Sequence, residues 1–94
     1  MKIDYTEDAI EDLIQLREFI AEKNPEAAAR YARTLIDGIT GLADQPRLGH
    51  PVDDAPEPDA IRDLIVNPYI VRYALLDDQI LVLRIWHHRE NWKS

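Results

Sequence analysis

The chain has 94 residues, which fit one domain over residues 1–94 with a single modest core. Cysteine is absent, so disulfides, thiolate zinc sites and thiol catalysis are excluded. The net charge is −7, and the acidic excess falls in residues 1–59, whereas residues 60–94 are slightly basic. Because binding to phosphates needs a positive face, we expect no strong direct binding of RNA or DNA.

The N-terminal segment is MKIDYTEDAIEDL. It lacks a basic region followed by an apolar stretch, so we do not expect a signal peptide. No apolar run approaches the roughly 18 residues that a membrane span needs. We therefore expect a cytoplasmic protein that has no membrane partner.

The first half of the chain predicts a short strand followed by two helices. Ile3 and Tyr5 alternate with polar residues, which is typical of a strand. Thr6 is a suitable N-cap, and apolar residues recur at helical spacing from Ala9 to Ile20, which predicts an amphipathic helix.

A second helix is predicted to begin where Asn24 can act as N-cap and Pro25 takes the first helical position. We expect it to continue through two glycines and to end at Pro46. Because the link between the two helices is so short, they should form an antiparallel hairpin.

Residues 46–59, PRLGHPVDDAPEPD, contain four of the six prolines and predict a loop without regular structure. Three segments rich in β-branched and aromatic residues follow: AIRDLIVN, YIVRYALL and QILVLRIWH. Short turns separate them, so they should form an antiparallel meander. The predicted fold is α+β with the order β-α-α-β-β-β, in which the helical hairpin covers one face and the N-terminal strand joins the sheet edge.

Metal, cofactor and nucleophile chemistry find little support. His87 and His88 are adjacent, so on a strand they should project to opposite faces and could not bind one ion together, while His50 lies in the proline-rich loop. The single serine is Ser94, which excludes a Ser–His–Asp arrangement. Glycine spacing gives no phosphate loop. We expect no metal and no cofactor.

Arg84 interrupts an otherwise apolar strand, ILVLRIW. Strict alternation would place Val82, Arg84 and Trp86 on one face and Leu81, Leu83, Ile85 and His87 on the core face. Two interpretations stay open for Arg84. It could stand beside Trp86 as an exposed interface residue, or it could pair with Asp63 or another acid. Trp92 either folds back to close the core, which is the commoner role for such a residue, or stands exposed as an anchor.

Four segments in this order resemble the RelE/ParE toxin superfamily, and its ParE-like branch most closely: LADQPRLGHPV, IRDLIV, NPYIVRYAL and ILVLRIWHHRENW. The resemblance covers essentially the whole chain. It implies a toxin of a bacterial type II toxin–antitoxin module, held inactive by a cognate ParD-like antitoxin. It also implies that ParE-like members poison DNA gyrase, whereas RelE-like members cut mRNA on the ribosome.

The chain departs from the pattern of the nuclease branch. Ile70 stands where those nucleases often have arginine, no lysine lies between Asn24 and Trp92, and no tyrosine follows Tyr73. Cleaving a phosphodiester needs positive groups aimed at developing charge, so we expect a gyrase inhibitor rather than an enzyme. A non-toxic relative that only binds antitoxin is a third alternative. The predicted partner or target contacts are Arg62, Arg72, Arg84, Trp86, His87, Arg89 and Trp92.

Overall fold

The computed structural model describes residues 1–57 and 59–88. The elements in chain order are β1 (Lys2–Tyr5), α1 (Glu7–Lys23), α2 (Pro25–Thr40), a 3₁₀ turn (Gly41–Ala43), β2 (His50–Pro51), β3 (Ile61–Val66), β4 (Tyr69–Leu75) and β5 (Gln79–His87). The predicted α+β class is confirmed. Across these residues, no helix combines the length and the apolar character needed to cross a membrane.

The helix starts are where the sequence predicts them. The Thr6 hydroxyl accepts a hydrogen bond from the Ala9 amide at 3.0 Å, and the Asn24 side chain accepts one from the Ala27 amide at 3.1 Å. Both side chains satisfy amides that the first helical turn leaves without a partner. The end of α2 differs from the prediction, because the helix stops at Thr40 and continues as a 3₁₀ turn. Glycine at position 41 favours this ending, since it is a poor helix former.

The five strands form one sheet in the order β1-β5-β4-β3-β2. The meander of β3, β4 and β5 is antiparallel as predicted, and β1 lies parallel to β5 at the sheet edge. The short strand β2 pairs with β3 inside the segment that was expected to have no regular structure. That expectation is therefore wrong for His50 and Pro51.

A β-bulge in β5 changes which residues face the core. Arg72 pairs with Arg84 but Tyr73 pairs with Val82, so Leu83 is an extra residue on β5 and reverses the alternation beyond it. The prediction of strict alternation is therefore wrong. Ile80, Val82 and Ile85 are buried in the core, whereas Leu81 and Leu83 are only partly buried.

The core lies between the helical hairpin and one face of the sheet. Its buried members from the helices and the 3₁₀ turn are Ala9, Leu35, Ile39 and Leu42, and the strands contribute Leu64, Tyr69, Val71, Tyr73, Ile80, Val82 and Ile85. Several apolar residues of the hairpin nevertheless remain exposed: Ile10, Ile14, Phe19, Tyr31 and Ile36. The hairpin thus carries more apolar surface than this fold buries.

Candidate functional site

Arg62 on β3 is buried beneath the proline-rich loop, and it is 7% exposed. Its guanidinium donates to the carbonyls of Gly49 at 2.7 Å, Asp59 at 3.0 Å and Arg47 at 3.2 Å. The Asp59 carboxylate lies 3.7 Å away. Charge-assisted bonds to several carbonyls make this arginine a strong tie between β3 and the loop.

Tyr73 on β4 reinforces the same tie. Its hydroxyl donates to the Pro46 carbonyl at 2.7 Å and accepts from the Gly49 amide at 3.0 Å. A Cβ atom at Gly49 would lie 2.8 Å from the Tyr73 hydroxyl oxygen and 2.9 Å from the Asp63 carbonyl, so glycine is required for this close approach. Burial raises the pKa of the Tyr73 phenol. We call Arg62, Tyr73 and Gly49 the loop clamp.

The loop clamp shows where Arg62 lies and explains why His50 and Pro51 form a strand. Arg62 was predicted as a partner contact, but its guanidinium is enclosed by loop carbonyls instead of facing outward. The same bonds draw residues 46–49 against the sheet, so that His50 and Pro51 run beside β3 and pair with it.

Arg72 and Trp86 form a second cluster on the sheet face opposite the helices. Arg72 makes a two-pronged ion pair with Asp63, with distances of 2.8 and 2.9 Å, and its guanidinium carbon lies 5.3 Å from the Trp86 ring centroid. Hydrogen bonding to Asp63 raises the pKa of Arg72. Trp86 is only 4% exposed, so the predicted exposed pair of Arg84 with Trp86 is wrong. Arg72 lies over the ring of this tryptophan, in a cation–π arrangement.

Arg84 pairs with Asp12 of α1, which establishes the ion-pair interpretation with an acid other than Asp63. The two guanidinium–carboxylate distances are 2.9 and 3.1 Å, and the same carboxylate accepts from the Ile85 amide at 2.9 Å. The Thr6 hydroxyl donates to the Leu83 carbonyl at 2.9 Å. Strand β1 pairs with β5 only as far as Val82. Beyond that point the side chains of Thr6 and Asp12 bind the backbone of β5 at the bulge.

A groove of about 960 Å³ runs between α1 and the C-terminal half of β5. We call it the α1–β5 groove, and its lining includes Leu16, Phe19, Tyr31, Tyr69, Arg84 and His87. The Tyr69 ring meets Tyr31 and His87 edge to face, with centroid distances of 6.3 and 5.7 Å. Edge-to-face packing fixes these rings, so the groove has a preformed aromatic wall.

His87 and His88 do not project to opposite faces as predicted. Their rings stack with centroids 4.8 Å apart and planes 21° apart, because His87 ends β5 and His88 lies in the following turn. The Nδ1 atom of His88 is 2.9 Å from the Pro68 carbonyl. Within residues 1–57 and 59–88, no three His, Cys, Asp or Glu side chains are grouped so as to hold a metal.

The predicted contact residues therefore divide among three places. Arg84 and His87 line the α1–β5 groove, Arg72 and Trp86 meet on the opposite sheet face, and Arg62 is in the loop clamp. Arg89 and Trp92 lie outside the described residues.

Sequence reasoning missed the groove residues that come from other elements, above all Asp12, Phe19, Tyr31 and Tyr69. Helical spacing predicts that Asp12 lies on the polar face of α1, and it does not reveal that this carboxylate reaches a distant strand. The same spacing assigns Phe19 and Tyr31 to the apolar stripes that should face the core. An excess of apolar residues around α1 was the available signal.

Comparison with known proteins identifies the family. Residues 3–92 match the family model described as ParE toxin of type II toxin-antitoxin system, parDE. The chain belongs to this family. The expected resemblance to ParE-like toxins is thus confirmed, and the chain is a toxin of the type II toxin–antitoxin class.

Two relatives of this ParE family member come from Caulobacter vibrioides. Toxin RelE2 is 32% identical over 80 residues, covering 84% of this chain and 85% of the relative. Toxin RelE1 is 32% identical over 83 residues, covering 84% of each chain.

Solved structures of toxin–antitoxin systems share the fold. A chain of the chromosomal ParDE system from P. aeruginosa superposes with a TM-score of 0.78 at 21% identity, covering 93% of this chain and 95% of that one. A chain of the RelBE2 complex from Mycobacterium tuberculosis gives a TM-score of 0.65 at 22% identity, covering 92% and 95%. Both ParE-type and RelE-type systems therefore use this architecture.

Proposed function

We propose that this toxin acts by binding and poisoning DNA gyrase, and that a cognate ParD-like antitoxin neutralises it. The observation that carries the proposal is the state of the sheet arginines. Arg62, Arg72 and Arg84 each lie within 4 Å of a carboxylate, at 3.7, 2.8 and 2.9 Å. Their charge is directed at groups of the toxin itself.

This pairing weighs against mRNA cleavage. A nuclease stabilises the charge that develops on the scissile phosphate with cations that converge on one place. The three arginines lie instead in three separate places, and the ion pairs with Asp63 and Asp12 would have to open before two of them could meet a phosphate. A binding mechanism requires no such rearrangement.

The surface supports binding of protein partners. Large apolar side chains stay exposed on the hairpin, Phe19 at 58% and Ile10 and Ile14 at 47% each. Exposed apolar side chains that cluster on one region commonly mark a protein interface. The family and its structural neighbours are toxins of antitoxin-paired systems, which supports an antitoxin as one partner.

A ribosome-dependent endoribonuclease is the second candidate. The relatives from Caulobacter vibrioides carry RelE names, and Arg72 stacks on Trp86 at the sheet face opposite the helices. The Arg72 side chain is 29% exposed, and an RNA base can stack on the plane of a guanidinium. If this candidate is correct, Arg72→Gln should abolish mRNA cleavage while the protein stays folded.

The test compares two activities of one protein preparation. Purified toxin is added to a gyrase supercoiling assay and to a translation-dependent mRNA cleavage assay. We expect inhibited supercoiling and intact mRNA. Cleaved mRNA with normal supercoiling would instead establish the endoribonuclease.

Expression without antitoxin provides the complementary test in cells. Growth should arrest when the folded chain accumulates. Unimpaired growth with soluble, folded toxin would overturn both toxic mechanisms and would leave a relative that retains only antitoxin binding.

A further inference from the structure

Three isoleucines are exposed on the outer side of the helical hairpin. Ile10 and Ile14 on α1 are each 47% exposed, and Ile36 on α2 is 39% exposed. They are separate from the α1–β5 groove, whose lining residues from α1 are Asp12, Gln15, Leu16, Phe19 and Ile20. Large apolar side chains that cluster on a surface commonly mark an interface, so the arrangement of these three residues matters.

The three side chains lie along the line where α1 meets α2. Ile10 and Ile14 are one turn apart on α1, and Arg17 continues their line. Arg17 and Ala32 both line a small cavity between the two helices, and Ile36 follows Ala32 by one turn. The isoleucines are therefore neighbours along this interhelical seam, on its exposed side.

The isoleucines also lie at similar heights along the hairpin. The two helices run in opposite directions from Asn24, so the number of residues from Asn24 measures height. Ile36 is 12 residues away, between Ile14 at 10 and Ile10 at 14. These separations correspond to heights of ~18, ~15 and ~21 Å. The three residues thus form one compact apolar surface, which we call the seam patch.

The two helices beside the seam patch differ in charge. Helix α1 contains six acidic and two basic residues in EDAIEDLIQLREFIAEK, whereas α2 contains two of each in PEAAARYARTLIDGIT. Glu18 lies one turn beyond Ile14, and the two cations of α2, Arg30 and Arg33, are exposed. Within residues 1–57 and 59–88, neither of these arginines makes an ion pair. Their charge is therefore available to a partner.

We propose that the seam patch is an isologous interface between two copies of the chain, in which each α1 packs across the α2 of the other copy. A two-fold axis parallel to the seam produces this arrangement. It buries the two seam patches against each other and places the acidic α1 over the neutral α2. Each α1 is then antiparallel to both neighbouring α2 helices, as in an up-down four-helix bundle. An axis across the helices would instead set one acidic α1 against another, which like-charge repulsion disfavours.

The same symmetry aligns one pair of opposite charges. Glu18 and Arg30 are six residues before and six residues after Asn24, so they lie at the same height on the two helices. A two-fold axis parallel to the helices preserves height, and Glu18 of each copy should therefore face Arg30 of the other copy. The interface goes beyond the proposed function and does not depend on the target of the toxin.

Sedimentation equilibrium of the purified chain tests the interface. We expect a monomer–dimer equilibrium that is weak, because each copy has a net charge of −7 and the copies repel each other at long range. Ile14→Glu should weaken dimerisation about tenfold, since it places a charge in the buried apolar contact. The matched control is Ile65→Glu, the same change at an isoleucine of β3 that is 60% exposed, and it should have little effect.

Two results of this experiment would overturn the proposal. One is a single monomeric species at every concentration up to about 1 mM. The other is a dimer that Ile14→Glu weakens no more than Ile65→Glu does. Circular dichroism of each variant checks that it is folded, so that lost dimerisation reports on the interface.

Charge exchange tests the arrangement without altering an apolar residue. Glu18→Arg and Arg30→Glu should each weaken self-association about threefold, because each sets like charges against each other. An equimolar mixture of the two variants should recover the dimer, since both contacts then join opposite charges again. A mixture that associates no more tightly than either variant alone overturns the arrangement. So does stronger self-association of Glu18→Arg than of the unaltered chain, because net charge or contact between two α1 helices would then decide dimerisation.

Discussion

An arginine on a strand lies near an aspartate both at the loop clamp and in the α1–β5 groove. At the clamp the arginine is the buried member of the pair, whereas in the groove it is the aspartate. In the clamp, the Arg62 side chain is 9% exposed and the Asp59 side chain is 87% exposed. In the groove, the Arg84 side chain is 40% exposed and the Asp12 side chain is 11% exposed. The residue that is buried is the one whose loss leaves other groups without partners. We therefore expect loss of Arg62 in the clamp, and loss of Asp12 in the groove, to destabilise the fold more than loss of the residue paired with it.

The largest expected effect is that of Arg62→Ala. Removing this guanidinium leaves the carbonyls of Arg47, Gly49 and Asp59 without their donor, and we expect a loss of about 3 kcal/mol in the free energy of unfolding. Urea denaturation monitored by circular dichroism measures it. Arg47→Ala is the matched control, because that exposed side chain can be removed while its carbonyl stays. A loss below that of Arg84→Ala would contradict the assigned role of the clamp.

Asp12→Ala should have the next largest effect. It leaves both Arg84 and the Ile85 amide without the carboxylate that binds them, and we expect a loss of about 2 kcal/mol in the free energy of unfolding. Asp59→Ala removes an exposed acid and should cost at most about 1 kcal/mol. Denaturation of the two variants side by side measures the difference. Equal losses would show that burial of the acid does not decide its contribution.

A smaller effect is expected for Arg84→Ala. The Arg84 side chain is 40% exposed, so water already screens its ion pair with Asp12. After the substitution Asp12 keeps its hydrogen bond from the Ile85 amide, and the loss in the free energy of unfolding should be about 1 kcal/mol. Thermal unfolding checks the stability. Because the fold should persist, a simultaneous loss of growth arrest would report on binding. A destabilisation as large as that of Asp12→Ala would mean that both members of this pair are structural.

Much of the fold could be predicted from local signals. Thr6 and Asn24 mark the helix starts because a capping side chain bonds to amides three residues away. The change from helical to strand periodicity marked the meander equally well. Both signals are local, so the sequence shows them without knowledge of the fold.

The site depended on contacts between distant segments, and these could not be predicted. The bulge at Leu83 inserts a residue that the alternation of an apolar strand does not reveal. The burial of Arg62 requires the carbonyls of a loop 13 residues or more away, and the partner of Arg84 lies 72 residues away on α1. An arginine in a strand thus predicts a charge that must be satisfied, while its partner follows only from the packed structure.

The smallest effect concerns alkaline pH and one tyrosine from each region, Tyr73 in the clamp and Tyr69 in the groove. Burial raises the pKa of both phenols. In the unfolded chain these groups ionise near pH 10, whereas the folded state keeps its protons to higher pH. The folded state therefore binds more protons above about pH 10, and stability should fall as pH rises through that range.

Tyr73→Phe and Tyr69→Phe should each make this alkaline decline less steep. At pH 7, Tyr73→Phe should also lower stability, because its hydroxyl bonds to Pro46 and Gly49. Urea midpoints from pH 7 to 11 would separate the two contributions, since the hydrogen bonds act wherever the phenol keeps its proton, pH 7 included, and ionisation acts only near and above the phenol pKa. If the slope above pH 10 is unchanged in Tyr73→Phe, ionisation of that phenol does not contribute to alkaline unfolding, and the clamp would be stabilised by its hydrogen bonds alone.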